Sequence, residues 1–210
     1  MSNINVSFMP TPEEPIEAQI LEAASDVFVE KGFEKSKMQD IADKAGIKRT
    51  VLNYYFRSKD LLYKKIAKTV IKQALPNMLK LLNSDLPFEE KIAAFVDNYM
   101  NLALKNPHLP LFVINELHSL GVVFIENMLD GVRPNIHKFI AHAEEEMEKG
   151  NIVQMNPVQI PIHLVSLCAF PILAKPMVML ITDTSETQYK EIIAERKKEV
   201  VRFVLAGLKP

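Results

Sequence analysis

Nowhere in this chain do apolar and polar residues alternate between turn dipeptides in the way a half-buried strand requires. Asp130-Gly131 has the chemistry of a hairpin turn, but helical rather than alternating spacing follows it. The punctuation is that of helix starts and stops: Asp85 before Pro87, Asn106-Pro107, Arg133-Pro134, Gly150, Asn156-Pro157 and Thr184-Ser185. An all-α protein of about nine helices is predicted.

With 210 residues, 48% of them hydrophobic, the chain can bury one mid-sized core or two small ones joined by a shared helix. Charged residues make up 24% and the net charge is -1, so any electrostatic footprint for an anionic partner must be local. The single cysteine, Cys168, lies between Leu167 and Ala169, and no CxxC pair occurs. That argues against a disulfide framework and a structural zinc site, and Cys168 reads as a small buried hydrophobe suited to a reducing cytoplasm. His108, His118, His137, His142 and His163 are separated by 10, 19, 5 and 21 residues, so no pair has the i, i+4 spacing of a helical metal site. Residues 1–15, with Pro10, Pro12 and Pro15, read as a flexible leader without the basic and apolar regions of a signal peptide. The longest apolar run, Ile160 to Ile181, is interrupted by His163, Ser166, Lys175 and three prolines. A soluble, cytoplasmic protein without a membrane span is expected.

The segment Ser36 to Phe56, SKMQDIADKAGIKRTVLNYYF, carries the functional signal. Before it, Ile20, Ala23, Ala24, Val27 and Phe28 recur at helical spacing and Gly32 stands where a C-cap belongs. Ser36 and Gln39 have capping-box spacing for a short second helix, whose inward stripe is Met38, Ile41, Ala42 and Ala45. Gly46 falls at the turn. A third helix, from about Lys48 to Phe56, points Val51, Leu52 and Phe56 inward and leaves Lys48, Arg49, Thr50, Asn53 and Tyr54 outside. Those outer residues suit a DNA groove: Arg pairs with guanine, Asn with adenine, Thr meets a thymine methyl, and Tyr and Lys reach phosphates. Two short helices joined by a tight turn are the helix-turn-helix geometry. From Lys31 to Lys59 eight basic and three acidic residues leave a local charge of +5, against -6 on the remaining 181 residues. Phosphate contacts require such a local excess.

The elements A-x-x-x-F-x-x-x-G-F, D-I-A-x-x-A-G-I, Y-Y-F and S-K-D-L-L between Ile20 and Leu62 resemble the N-terminal domain of the TetR family of bacterial repressors. The resemblance covers about a fifth of the chain. It implies an all-helical homodimer, with three N-terminal helices for DNA at residues 16–60. A larger helical domain at 61–210 would bind a small inducer and dimerise through a four-helix bundle. It also implies phosphate contacts at Ser36 and Lys37, a base contact at Gln39, and base contacts by Lys48, Arg49, Thr50 and Asn53. Tyr54 and Tyr55 would then meet the DNA backbone, and so would Lys59, the lysine that opens the next helix. Two positions depart from the family's pattern. Thr50 stands where a small residue is usual, which changes how closely the helix enters the groove, and Asn53 where a tyrosine is usual, which changes the bases read.

Beyond Ser58, whose side chain is placed to cap a long helix Lys59 to Leu82, the chain turns strongly apolar. An inducer pocket needs a few polar groups in an apolar shell. By position the candidates are Tyr99, Asn115, His118 and His163, with Met100 and Met128 as adaptable walls; Glu116 and His137 share that character. Pro171 and Pro176 are expected to bend or split the helix that carries them. Ser185 and Gln188 form a second capping box before a last amphipathic helix carrying Tyr189, Ile192, Ile193, Val200, Phe203 and Val204. That stripe, with the apolar face of Ile160 to Leu173, serves either as a dimer surface or as packing within its own domain.

The expected function is a cytoplasmic repressor that binds a near-palindromic double-stranded operator as a homodimer and is released by an apolar or amphipathic small molecule. No cofactor is expected. An enzyme is the rival from another class, but there is no Gly-rich phosphate loop, no nucleophile set at telling spacing and no paired carboxylates on an apolar face. A second rival is an interaction module whose basic helix binds an acidic protein.

Overall fold

The computed structural model describes residues 15–131 and 134–210 and contains eleven helices and no strand among them. The expected leader falls outside the described residues except for Pro15, which opens the first helix, and so does Arg133 of the Arg133-Pro134 pair. The chain forms two compact units, one ending at Ala74 and the other beginning at Leu75.

In the first unit, α1 (Pro15–Lys31), α2 (Met38–Lys44), α3 (Arg49–Tyr55) and the start of α4 (Lys59–Leu82) enclose a small core. Ile20, Ala24, Ile41, Ala42, Leu52 and Leu62 are almost or fully buried there. The expected inward residues Val27, Phe28, Met38, Ala45 and Phe56 are also buried. Phe28, Phe33 and Tyr63 pack edge-to-face and tilted, with ring centroids 5.0–5.6 Å apart. Burial pushes the Tyr63 phenol well above its ordinary range. Ser58 Oγ accepts from Leu61 N at 3.2 Å, so α4 has the predicted cap.

The second unit is built on α5 (Phe88–Lys105), α8 (His137–Glu148), α9 (Gln159–Leu173) and α11 (Glu186–Leu208). Their shared core includes Ile92, Val96, Met100, Phe139, Leu164, Cys168, Ile193 and Val200. α6 (Leu109–Leu120) and α7 (Val122–Met128) meet at Gly121 with a bend of 119°. Gly121 has a positive φ of 59°, a conformation that ends a helix. α9 and α10 (Lys175–Thr182) are bent by 74°, as the prolines require. These two breaks raise the helix number above the expected nine.

The α9 break is chemically repaired by α11. Pro171 has no N–H to give Leu167 O, and the Arg196 guanidinium donates to that carbonyl through Nε and Nη2 at 3.3 and 3.1 Å. The Tyr189 hydroxyl donates to Pro171 O at 2.8 Å. α11 itself starts at the expected capping box: Gln188 N donates to Ser185 Oγ and Ser185 N to Gln188 Oε1. No single described helix is long and apolar enough to cross a membrane.

The apolar residues of α11 divide between two faces. Tyr189, Ile193, Val200, Val204 and Leu208 pack within their own unit, whereas Ile192 and Phe203 are exposed, Phe203 by 67%. Ile162, Val165 and Phe170 of α9 are exposed as well.

Candidate nucleic-acid interface

The geometry of α2 and α3 follows from one turn. Ile47 N donates to Ala42 O at 3.0 Å and Gly46 N to Asp43 O at 3.1 Å, the paired bonds of a Schellman ending. Gly46 supplies the left-handed conformation, φ +64°, that this ending needs. From α1, Gln19 Nε2 donates to Ala45 O at 2.7 Å and so satisfies another carbonyl at the end of α2. The turn is therefore held by backbone and side chain together, which fixes α3 against α2.

The start of α2 differs from its expected form. Lys37, not Ser36, is the N-cap residue, and its N–H donates to Asp40 Oδ2 at 2.8 Å. Lys31 Nζ donates to the other Asp40 oxygen at 2.8 Å. These two bonds, the Lys31 one first, hold the Asp40 carboxyl below its ordinary value. Ser36 is buried, and its hydroxyl points inward to Gly32 O and Val27 O. The Ser36/Gln39 capping box is thus corrected, because a buried carbonyl pair competes for the hydroxyl. The Ser36 hydroxyl is thereby engaged inside the unit. Gln39 remains exposed, with Nε2 donating to Asp43 Oδ1 at 2.7 Å.

On α3, Lys48 is the exposed N-cap residue and Thr50, Asn53 and Tyr54 are exposed, Tyr54 by 84%. Arg49 is half-buried and its Nε donates to Asn53 Oδ1 at 3.2 Å. Tyr55 is half-buried, its ring edge-on to Tyr54 at 5.4 Å. Of the eight basic residues in the segment, three are occupied within the unit. Lys31 pairs with Asp40, and Lys44 with Glu30 and Asp26. Lys59 Nζ donates to Phe33 O at 2.6 Å and to Glu34 O at 3.3 Å, and lies 4.2 Å from the Phe33 ring centroid. Lys59 therefore braces the α1–α2 loop. Lys35, Lys37, Lys48 and Arg57 are exposed and make no ion pair among the described residues. Lys35 and Arg57 were not singled out by sequence; the local charge excess was the only signal for them.

The candidate inducer residues do not converge in the described structure. Met100 is fully buried in the core and Tyr99 packs beside it, its phenol pushed up to about 12 chiefly by burial. Met128 is buried in α7, whereas Asn115 and His118 are exposed on α6. His163 lines a groove of about 270 Å³ between α9 and α11, with Met155, Ser166 and Phe203 among its walls. Helix rotation, not helical spacing, decides which of these side chains share a space. Burial pushes the Cys168 thiol up to about 12, so it is an unreactive core residue at neutral pH.

A short helix, a Schellman turn and a second helix with an exposed polar and cationic face define a helix-turn-helix domain. Residues 20–66 match the model of the bacterial regulatory proteins of the tetR family. The N-terminal domain of this chain is similar to that of TetR-family regulators. Over 90 residues, 43% of this chain and 41% of the relative, it is 29% identical to the HTH-type transcriptional activator FasR of Mycolicibacterium smegmatis. Over 88 residues, 41% of this chain and 38% of the relative, it is 40% identical to the HTH-type transcriptional regulator RutR of Escherichia coli strain K12. These alignments span about two fifths of each relative's length. In fold, the chain is similar to the transcriptional regulator FadR of Bacillus subtilis, solved in complex with stearoyl-CoA. The TM-score is 0.54 at 18% identity, and the match covers 90% of this chain and 98% of that one.

Proposed function

We propose that this protein is a sequence-specific transcriptional regulator, a cytoplasmic homodimeric repressor released from its operator by a small molecule bound in the C-terminal unit. The observation that carries this is the α3 face. Lys48, Arg49, Thr50, Asn53 and Tyr54 share it, with the unpaired cations Lys35, Lys37 and Arg57 in the same unit. Lysines and arginines that are not neutralised within the fold are free to replace the counterions of a phosphate backbone. Gln39, Lys37 and Tyr55 complete the proposed contact set, whereas Ser36 and Lys59 serve the fold.

Dimerisation is assigned to the exposed apolar residues of α9 and α11, Ile162, Val165, Phe170, Ile192 and Phe203. Two recognition helices related by a twofold axis enter successive major grooves about 34 Å apart, which makes the operator near-palindromic. The inducer is an apolar or amphipathic molecule whose binding favours a state with a different spacing. FadR with stearoyl-CoA offers a precedent in a similar fold.

Selection of bound duplexes from a randomised pool at moderate salt tests the proposal. A palindromic motif is expected, with Arg49→Ala costing on the order of 1–3 kcal/mol at one base pair per half-site. An unselective pool that Arg49→Ala leaves unchanged would replace the regulator with a module that binds an acidic protein.

A further inference from the structure

Arg49 and Asn53 lie four residues apart on α3, so their side chains rise from the same face one turn from each other. Arg49 Nε, a donor, meets Asn53 Oδ1, an acceptor, at 3.2 Å. That bond has consequences for both side chains. A guanidinium whose Nε is tied keeps its two terminal nitrogens, whose parallel N–H groups match the O6 and N7 acceptors of guanine. An asparagine reads adenine by accepting from N6 and donating to N7 at once. Here the carbonyl of Asn53 is already engaged by Arg49, so the simultaneous accept-and-donate pairing that an adenine needs competes with that bond.

Resting on the proposed function, we infer that Arg49 and Asn53 form one reading unit for a single guanine, with Asn53 positioning Arg49 instead of reading an adenine of its own. The unfused side chain of an arginine has several rotamers, and fixing the plane of its fork before contact removes part of the ordering cost of binding. This revises the expectation from residue chemistry alone, in which Arg49 takes guanine and Asn53 separately takes adenine. It also gives Asn53, the position where the family's usual tyrosine is replaced, a defined task.

The test is duplex selection and affinity measurement on the full-length protein, for the wild type, Arg49→Ala, Asn53→Ala, the double variant and Asn53→Asp. Neither Arg49 nor Asn53 belongs to the buried core of the unit, and circular dichroism is used to check that each variant is folded. Arg49→Ala is expected to weaken binding to the selected site by about 10- to 100-fold and to abolish the preference for one guanine. Asn53→Ala should blur the preference at that same base pair, and in the Arg49→Ala background it should change affinity by about 1-fold, that is, not at all. Asn53→Asp keeps the acceptor and loses the amide donors. It should retain the guanine preference while affinity falls for every sequence alike. A different base pair losing its preference in Asn53→Ala, or single effects that multiply in the double variant, would overturn the shared unit and leave the regulator intact. A wild-type pool with no motif would overturn the regulator and this inference together.

Discussion

Lys59 is the residue whose role changes most between chain and fold. Its place at the opening of α4 marks it as a phosphate contact by resemblance, yet its ammonium is held by Phe33 O, Glu34 O and the Phe33 ring. A charge-assisted bond of this kind contributes about 1.5–3 kcal/mol, and the ring contact adds about 0.5–1 kcal/mol. Lys59→Met, which keeps the apolar stem, is expected to lower stability to urea by about 1–2 kcal/mol. The slope of log affinity against log salt should stay as in the wild type, whereas Lys48→Met should reduce that slope by about 1. A fall in slope for Lys59→Met without a loss of stability would return Lys59 to the phosphate contacts. Ser36 makes the same point on a smaller scale, since a polar residue placed by spacing at a helix start spends its hydroxyl on the carbonyls of the preceding helix instead.

Between elements, the join of α5 to α8 has a polar lock that no periodicity announces. Lys91 is 2% exposed and its Nζ lies 2.8 Å from His142 Nδ1. The imidazole therefore accepts from the ammonium and is neutral, with its Nε2 side toward Glu146 Oε1 at 4.0 Å. Burial first, then the Lys91 charge and Lys149, hold His142 below its ordinary value, while Glu146 and Glu145 pull the other way. Burial also lowers Lys91, helped by Lys138 and opposed by Asp85 and Glu145. A lowered folded-state value means that the unfolded chain takes up the His142 proton first as pH falls. Stability is then full above the ordinary value of about 6.5 and declines below it, down to the folded value. Thermal melts at about pH 8 and about pH 5.5 are expected to show a larger drop in Tm for the wild type than for His142→Gln, whose amide oxygen still accepts from Lys91. Equal drops would place the acid sensitivity elsewhere. The α9–α10 bend is the complementary case: Pro171 predicts the break, but only packing supplies Arg196 and Tyr189 to its orphaned carbonyls.

For the whole molecule, the proposed dimer rests on α9 and α11. Phe203→Asp changes a residue that is 67% exposed, so it should leave the fold intact and shift sedimentation from dimer to monomer. Operator affinity should fall by at least about 100-fold as the two half-sites lose their linkage. A variant that remains dimeric would move the interface to another exposed apolar face, such as Leu180 and Ile181 of α10. The all-helical class and the helix-turn-helix were legible in the sequence because both are local. Helical spacing marks which of Ile41, Ala42 and Leu52 go inward, and Gly46 marks a turn that needs a left-handed residue. The inducer candidates were not legible, because Met100, Asn115 and His163 end up in a core, on a surface and in a groove according to how each helix is rotated against its neighbours. What the chain determined by itself is therefore its helices, their stops and the face of α3. Only the tertiary structure decided that Lys59 and Ser36 brace the domain, that Arg49 is tied to Asn53, and that most of the α11 stripe is spent inside its own unit. Each of those outcomes depends on partners distant in sequence or on a rotamer, and a hydrogen bond is won by whichever acceptor packing brings within reach.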